Sequence, residues 1–134
     1  MRSGGAGRSP AVTDAVRLAR WYAWALGAGL FLEGAVLLVL TPNGDVRHNA
    51  IHVAWGAVIL LILWRNPSIA PRVLVVFGVF YVFLGFAGVL SRNPFGLLLG
   101  LGENAFHLMV GPLALVLGLL SLMAPRSAAH AERR

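Results

Sequence analysis

The stretch VLVVFGVFYVFLGFAGVL, residues 73–90, decides the fold because it contains no charged residue and no proline. Its length is close to the ~20 residues that an α-helix needs to cross the ~30 Å hydrocarbon core of a bilayer. Similar segments lie at 21–40, 50–64 and 105–123. The chain is 58% hydrophobic and 12% charged, whereas about 25% of residues in a typical soluble domain are charged. The sequence therefore predicts an all-α membrane protein, a four-transmembrane-helix bundle with the lipid bilayer as its main partner.

The basic residues predict how the bundle is oriented. All eleven are Arg, and those expected on one side of the membrane are Arg2, Arg8, Arg17, Arg20, Arg65, Arg72, Arg126, Arg133 and Arg134. Arg47 and Arg92 fall on the other side. Because short loops rich in Arg stay in the cytoplasm, both termini are predicted to be cytoplasmic. The exclusive use of Arg, with abundant Ala, Gly and Val, favours a bacterial plasma membrane. Since the arginines form no patch with exposed aromatics, no nucleic-acid partner is predicted.

Two similar motifs indicate an internal repeat. HNAIHVAWG at 48–56 and ENAFHLMVG at 103–111 share Asn, Ala, His and Gly at the same spacing. In the segments before them, Gly27 and Gly34 have the same spacing as Gly78 and Gly85. We therefore predict two tandem helix-pair repeats at 16–66 and 67–123, in the same orientation because each has an even number of crossings. Flexible cytoplasmic tails are expected at 1–15 and 124–134.

The repeated motifs resemble the small four-helix bacterial membrane proteins of the domain-of-unknown-function 4383 family. The matching residues are His48, Asn49, His52 and Gly56 in the first copy, and Asn104, His107 and Gly111 in the second. This resemblance extends over residues 17–123. It implies a four-helix membrane fold and brings no established activity with it.

The asparagines of the two motifs favour a structural role at helix ends. An Asn side chain accepts a hydrogen bond from a backbone N–H of the first helical turn, so Asn49 and Asn104 are predicted N-caps of the second and fourth helices. His52 and His107 would then occupy the third helical position. There, a neutral imidazole can bond back to the cap or across to a neighbouring helix.

A metal site is the alternative interpretation of the same motifs. His48 and His52 are one helical turn apart, and so are Glu103 and His107. If the repeat brings these faces together, three imidazoles and a carboxylate would suit zinc, copper or iron. No cofactor is predicted, and a metal or haem site using these four residues is kept as an alternative.

Glu33 and the regularly spaced glycines are the other candidate residues. A carboxylate within a membrane helix often marks a proton or substrate path, although Glu33 could equally be protonated and bonded to His52 or His107. Small residues let membrane helices approach closely. The glycines predicted to serve this packing role are Gly27, Gly34, Gly56, Gly78, Gly85 and Gly111.

Nothing in the sequence names a reaction. It has no cysteine and lacks the HExxH, GxSxG, P-loop and CxxC motifs, so an enzyme is not favoured. We predict a non-enzymatic accessory or scaffold component, or a self-associating one, whose partner is a second copy or another membrane protein. The alternatives are a metal- or haem-binding redox protein and a small-molecule or proton pathway through Glu33.

Overall fold

The computed structural model describes residues 10–41, 44–91 and 93–124, and within them it contains helices and no strand. The four long helices are α1 (Pro10–Leu40), α2 (Val46–Arg65), α3 (Ala70–Leu90) and α4 (Leu101–Met123). Short 3₁₀ turns at Pro67–Ile69 and Pro94–Gly96 precede α3 and α4. The predicted all-helical fold with four long helices is confirmed for this part of the chain. Most of both predicted tails, at 1–9 and 125–134, lies outside it.

All four helices are long and apolar enough to cross a membrane. The spans that meet this criterion are Asp14–Leu40, Val46–Arg65, Pro67–Leu90 and Leu101–Met123. Each helix begins before its predicted apolar segment because helical structure includes the more polar residues that precede it, and α2 also extends one residue further at its C-terminal end. In particular, α1 begins at Pro10, so residues 10–15, which were predicted to belong to a flexible tail, are helical. Proline suits the first helical position because no intrahelical partner exists there for an N–H.

The helices pack mainly as two sequential pairs. α1 lies along α2 and α3 lies along α4, while α1 also contacts both α3 and α4. A core cluster in the body of the bundle includes Ala23, Leu30, Ile59, Leu74 and Ala114. A smaller cluster lies beside the connection between α3 and α4, at the end of the bundle that also carries the connection between α1 and α2. Its members are Leu84, Leu97 and Leu99, with Ile51 packed against them.

Glycines allow the two helices of each pair to approach closely. A Cβ atom added to Gly34 would lie 2.6 Å from the backbone oxygen of Asn49, and one added to Gly78 would lie 2.5 Å from the backbone nitrogen of Leu115. Real Cβ atoms do not tolerate such distances. Close contacts of the same kind surround Gly27, Gly56, Gly85 and Gly111. Gly29 differs, since a Cβ there would meet nothing within 4 Å.

Candidate functional site

The N-termini of α2 and α4 lie four residues earlier than predicted. Asp45 is the N-cap of α2, because its Oδ1 accepts a hydrogen bond from the backbone N–H of His48 at 3.0 Å. Gly100 occupies the cap position of α4. The predicted caps Asn49 and Asn104 are therefore wrong, and both residues lie inside their helices. Asp is as good an N-cap as Asn, and the Asp that ends the loop sequence TPNGD at 41–45 supplies the cap before Asn49 is reached.

This earlier start also moves the histidines deeper into their helices. With Asp45 as the cap, His48 occupies the third helical position, which had been predicted for His52. His52 follows one turn later, and His107 lies at the corresponding depth in α4. His52 and His107 therefore lie too far into their helices to bond back to the cap, which was one of the two expectations for them. The three rings are instead directed towards one another.

His48, His52 and His107, here called the histidine trio, form the densest group of potential metal ligands in the described residues. One ring nitrogen of each lies within 4.8 Å of those of the other two. The ring centroids of His48 and His52 are 4.4 Å apart, and that of His107 lies 5.8 Å from His48 and 6.3 Å from His52. The trio thus joins α2 of the first pair to α4 of the second.

The trio is buried, and most of its nitrogens have no partner. His48 and His52 are 5% and 4% exposed, and His107 is 0% exposed. Nε2 of His48 and both ring nitrogens of His52 and His107 have no hydrogen-bond partner among the described residues. Burying a polar group without a hydrogen bond costs free energy, so such atoms are rare in proteins and call for an explanation.

Glu33 contacts the trio from α1. Its Oε2 lies 3.2 Å from Nδ1 of His52, although the orientation of the two groups falls short of a regular hydrogen bond. The Glu33 side chain is 42% exposed, so it lies at the edge of the bundle rather than in its centre. Of the two neighbours proposed for this carboxyl group, the structure brings His52 close.

Glu103 and the two asparagines lie around the trio without belonging to it. Glu103 is exposed in the first turn of α4 and is not one of the three clustered ligands. Its carboxylate turns back towards the start of the helix, where a Cβ on Gly100 would lie 2.7 Å from Oε2. Asn49 and Asn104 are buried. The Oδ1 atom of Asn104 has no partner in the part of the chain described and packs against Gly88.

Two connected openings surround Glu33. The first, here called the head cavity, has a volume of about 150 Å³ and is lined by Glu33, His52, Gly102, Glu103, Phe106 and His107. The second, here called the apolar groove, has a volume of about 390 Å³ and runs between α1 and α4. Its lining consists of Tyr22, Ala25, Leu26, Gly29, Leu30, Glu33, Phe106 and Val110. Glu33 and Phe106 belong to both linings, so the two openings meet at these residues.

Asp45 fixes the position of the trio at this end of the bundle. In addition to capping α2, it accepts a hydrogen bond at Oδ2 from the backbone N–H of Leu98 at 2.8 Å. Partial burial raises the pKa of Asp45, but the N–H groups of His48 and Leu98 lower it, and the result is a pKa below the usual value for this carboxyl. Asp45 thereby holds together the connections that precede α2 and α4.

Several residues around the site were not singled out from the sequence. Asp45 could have been recognised, since an Asp just before an apolar helix is a strong N-cap signal. Tyr22, whose hydroxyl donates to the carbonyl of Val110 at 3.3 Å, and Phe106 had no such signal. Their roles depend on how α1 meets α4, which the local sequence does not specify.

Comparison with known proteins adds no relative. No protein-family profile, no curated protein and no solved structure matches this chain.

Proposed function

We propose that this chain is a multi-pass membrane protein that binds a divalent transition-metal ion through His48, His52 and His107. The observation that carries the proposal is the convergence of three buried imidazoles. Their ligand atoms lie within 4.8 Å of one another, and most ring nitrogens have no partner in the part of the chain that the structure describes. A metal ion would satisfy one nitrogen of each ring, and a purely structural role leaves these buried nitrogens unexplained. Neutral imidazole is a common ligand for zinc, copper, iron and nickel.

The spacing of the trio fits an ion after a small side-chain adjustment. Ligand atoms bound to zinc at ~2.0–2.1 Å in a tetrahedron lie about 3.4 Å from one another. Rotations of the imidazole rings would have to close the remaining gap. Three histidines with an open fourth position are the arrangement found in catalytic rather than structural zinc sites. The small head cavity beside the trio favours a bare ion over haem, because pockets for larger ligands have volumes of ~300–1,000 Å³.

Glu33 would act as a positioning residue for the ion. Histidine ligands of metals usually donate their second N–H to a carboxylate or carbonyl, which fixes the ring orientation and makes the ligating nitrogen more basic. Nδ1 of His52 lies 3.2 Å from the Glu33 carboxylate, so a small ring rotation would complete this hydrogen bond and leave Nε2 of the same ring free to ligate. Glu103, which belonged to the four-residue ligand set kept as an alternative in the sequence analysis, would not ligate the ion.

The proposed setting is a bacterial plasma membrane with both termini in the cytoplasm, as the arginines predict. Equivalent helix contacts support the tandem parallel repeat. A Cβ added to Gly34 would lie 2.9 Å from Cβ of His52, and one added to Gly85 would lie 3.3 Å from Cβ of His107. Likewise, Gly27 contacts Leu60 and Gly78 contacts Leu115. Membership of the domain-of-unknown-function 4383 family, and an accessory, scaffold or self-associating role, stay predictions beside the metal-binding proposal.

Metal analysis of the purified protein tests the proposal. The chain is purified in detergent through a tag without histidine, stripped with a chelator and titrated with Zn²⁺, Cu²⁺ and Ni²⁺, and bound metal is measured by elemental analysis. We expect one ion per chain, lost in His107→Ala and in His52→Ala. Asp14→Ala is the control, since Asp14 is an exposed carboxylate on α1 that pairs with Arg17 and does not belong to the trio, and it should retain the ion. Absence of stoichiometric metal, or equal loss in the control, would refute the proposal.

A further inference from the structure

We infer that the apolar groove and the head cavity together bind one single-chain, uncharged amphiphile with a hydroxyl-bearing head, a class that includes the isoprenoid quinols. The inference concerns the surface between α1 and α4 and does not require that a metal ion be bound.

The apolar groove has the character of a site for a hydrocarbon chain. Its wall on α1 runs from Tyr22 to Glu33, about 16 Å at the helical rise per residue. Between these ends the wall is formed by small or aliphatic residues, including Ala25, Gly29 and Leu30. Gly29 leaves open space in the groove, since a Cβ added there would meet nothing within 4 Å. A hydrocarbon chain as long as this wall would extend through about half of the ~30 Å hydrocarbon core of the membrane, which is the depth of one leaflet.

The head cavity supplies polar atoms where the groove ends. Glu33 stands at the junction with its carboxylate partly exposed. His52, whose side chain is 6% exposed, lines the same cavity, and its ring nitrogens are buried without a hydrogen-bond partner among the described residues. His107 lines the same cavity and is fully buried. A ligand head that both donates and accepts hydrogen bonds can satisfy a carboxylate and a neutral imidazole together. Once an imidazole ring rotates to expose a nitrogen to the cavity, binding of the head would remove the cost of leaving that nitrogen unpaired.

The charge of the lining selects the kind of head. Two carboxylates, Glu33 and Glu103, line the head cavity, and none of its described lining residues is Arg. An anionic head such as a phosphate or a carboxylate would therefore meet like charge without a compensating cation. The small volume of the cavity, about 150 Å³, also limits the head to a compact group. An uncharged hydroxylated ring meets both conditions, and a phospholipid does not.

Binding of decylubiquinol, a short-chain quinol, tests the inference. The purified chain is kept in chelator so that no metal contributes, and ligand occupancy is measured by native mass spectrometry after release from detergent. We expect one decylubiquinol per chain, with sodium decanoate, which carries an anionic head on an alkyl chain, binding at least about tenfold more weakly. Equal binding of the two ligands would overturn the inference, because the head would then contribute no selectivity.

Variants locate the ligand in the groove. Gly29→Phe fills the groove from a position with free space for its Cβ, and Ala25→Phe fills it independently, so each should weaken decylubiquinol binding by about tenfold or more. Leu32→Phe is the matched control, since Leu32 is 60% exposed on α1 and does not line the groove. Glu33→Leu should weaken the quinol and leave decanoate unchanged or stronger. Unaltered binding in both groove variants, or an equal loss in Leu32→Phe, would overturn the inference.

Discussion

Oδ2 of Asp45 accepts a hydrogen bond from the backbone N–H of Leu98 at 2.8 Å, across the boundary between the first and second helix pairs. The other carboxylate oxygen caps α2 through the N–H of His48. A single side chain thus determines where α2 begins and how the connection before α4 lies against it. Since the histidine trio draws on both helices just below this point, the hydrogen bonds of Asp45 bear directly on the geometry of the candidate metal site.

Replacing Asp45 should destabilise the protein. Asp45→Ala removes the N-cap and leaves the N–H of Leu98 without its acceptor, so we expect a loss of ~1–3 kcal/mol in the free energy of unfolding. Asp45→Asn keeps one acceptor oxygen and should cost less. Thermal unfolding followed by circular dichroism in detergent measures both effects.

Asp14→Ala is the matched control for this substitution. Asp14 pairs with Arg17 at 3.4 Å on the surface of α1, and their side chains are 65% and 73% exposed. Such exposed pairs contribute ~0–1 kcal/mol. If Asp14→Ala and Asp45→Ala lowered stability equally, the bridging role assigned to Asp45 would be wrong.

The same carboxylate predicts a pH dependence of stability. The pKa of Asp45 is lower in the folded chain than its ordinary value of 3.8. The stabilisation is therefore fully present above that ordinary value, and it is lost as the pH falls through the folded pKa. Between about pH 6 and about pH 3, the wild-type melting temperature should fall more than that of Asp45→Asn, which cannot titrate at this position. Parallel curves for the two proteins would contradict the prediction.

Metal affinity should depend on Glu33 through His52. Glu33→Gln replaces the carboxyl group 3.2 Å from Nδ1 of His52 with an amide, and loss of such an outer-shell partner typically weakens metal binding about 10–100-fold. Glu103→Gln makes the same replacement at an exposed position outside the trio and should have a much smaller effect. Competition titration with a chromophoric chelator gives both affinities. A larger effect at Glu103 would place that carboxylate, rather than Glu33, beside the ion.

The glycine contacts predict opposite outcomes for two Gly→Ala substitutions in α1. Gly34→Ala places a Cβ 2.6 Å from the backbone oxygen of Asn49, so α1 and α2 must move apart, at a cost of ~1–3 kcal/mol. The Cβ that Gly29→Ala adds points into free space, and Ala has a higher helix propensity than Gly, so the free energy of unfolding should stay equal or rise. Melting temperatures measured side by side in one detergent compare them. Equal decreases in melting temperature would show that α1 and α2 are less closely packed at Gly34 than described.

The predicted orientation can be tested with single cysteines because the natural chain has none. Ser68 and Ser91 are exposed residues at opposite ends of the bundle, in the connection before α3 and at the end of α3. Cytoplasmic termini place Ser68 inside and Ser91 outside. A membrane-impermeant maleimide should therefore label Ser91→Cys in intact cells and label Ser68→Cys only after permeabilisation. The reverse pattern would invert the topology.

The number and order of the helices could be predicted from the sequence because hydrocarbon thickness sets the length of a membrane helix. Uncharged segments such as 73–90, separated by Asn66, Pro67 and Pro94, mark the four helices well. Helix ends were harder, because interfacial residues can continue a helix and several side chains compete for each cap. For that reason the N-cap of α2 is Asp45 and not the predicted Asn49.

The site was only partly predictable. Spacing on one helix placed His48 beside His52, and the motif repeat suggested, as an alternative interpretation, that His107 could face them. Whether Glu103 also joined them depended on the direction of its side chain in the first turn of α4, which spacing alone does not fix. The contact between Glu33 and His52 depends on the packing of α1 against α2, and the groove depends on the meeting of α1 with α4.

The division of the histidine trio between α2 and α4 gives a bound ion a second consequence. Two ligands come from the first hairpin of helices and one from the second, so the ion can bind fully only when the hairpins have docked. Metal binding and hairpin docking would then be thermodynamically linked. Free metal would stabilise the docked state of the hairpins, and the stabilisation would grow as its concentration rises above the dissociation constant. A chelator would loosen the same assembly, and the ion would work as a reversible clasp between the halves of the molecule.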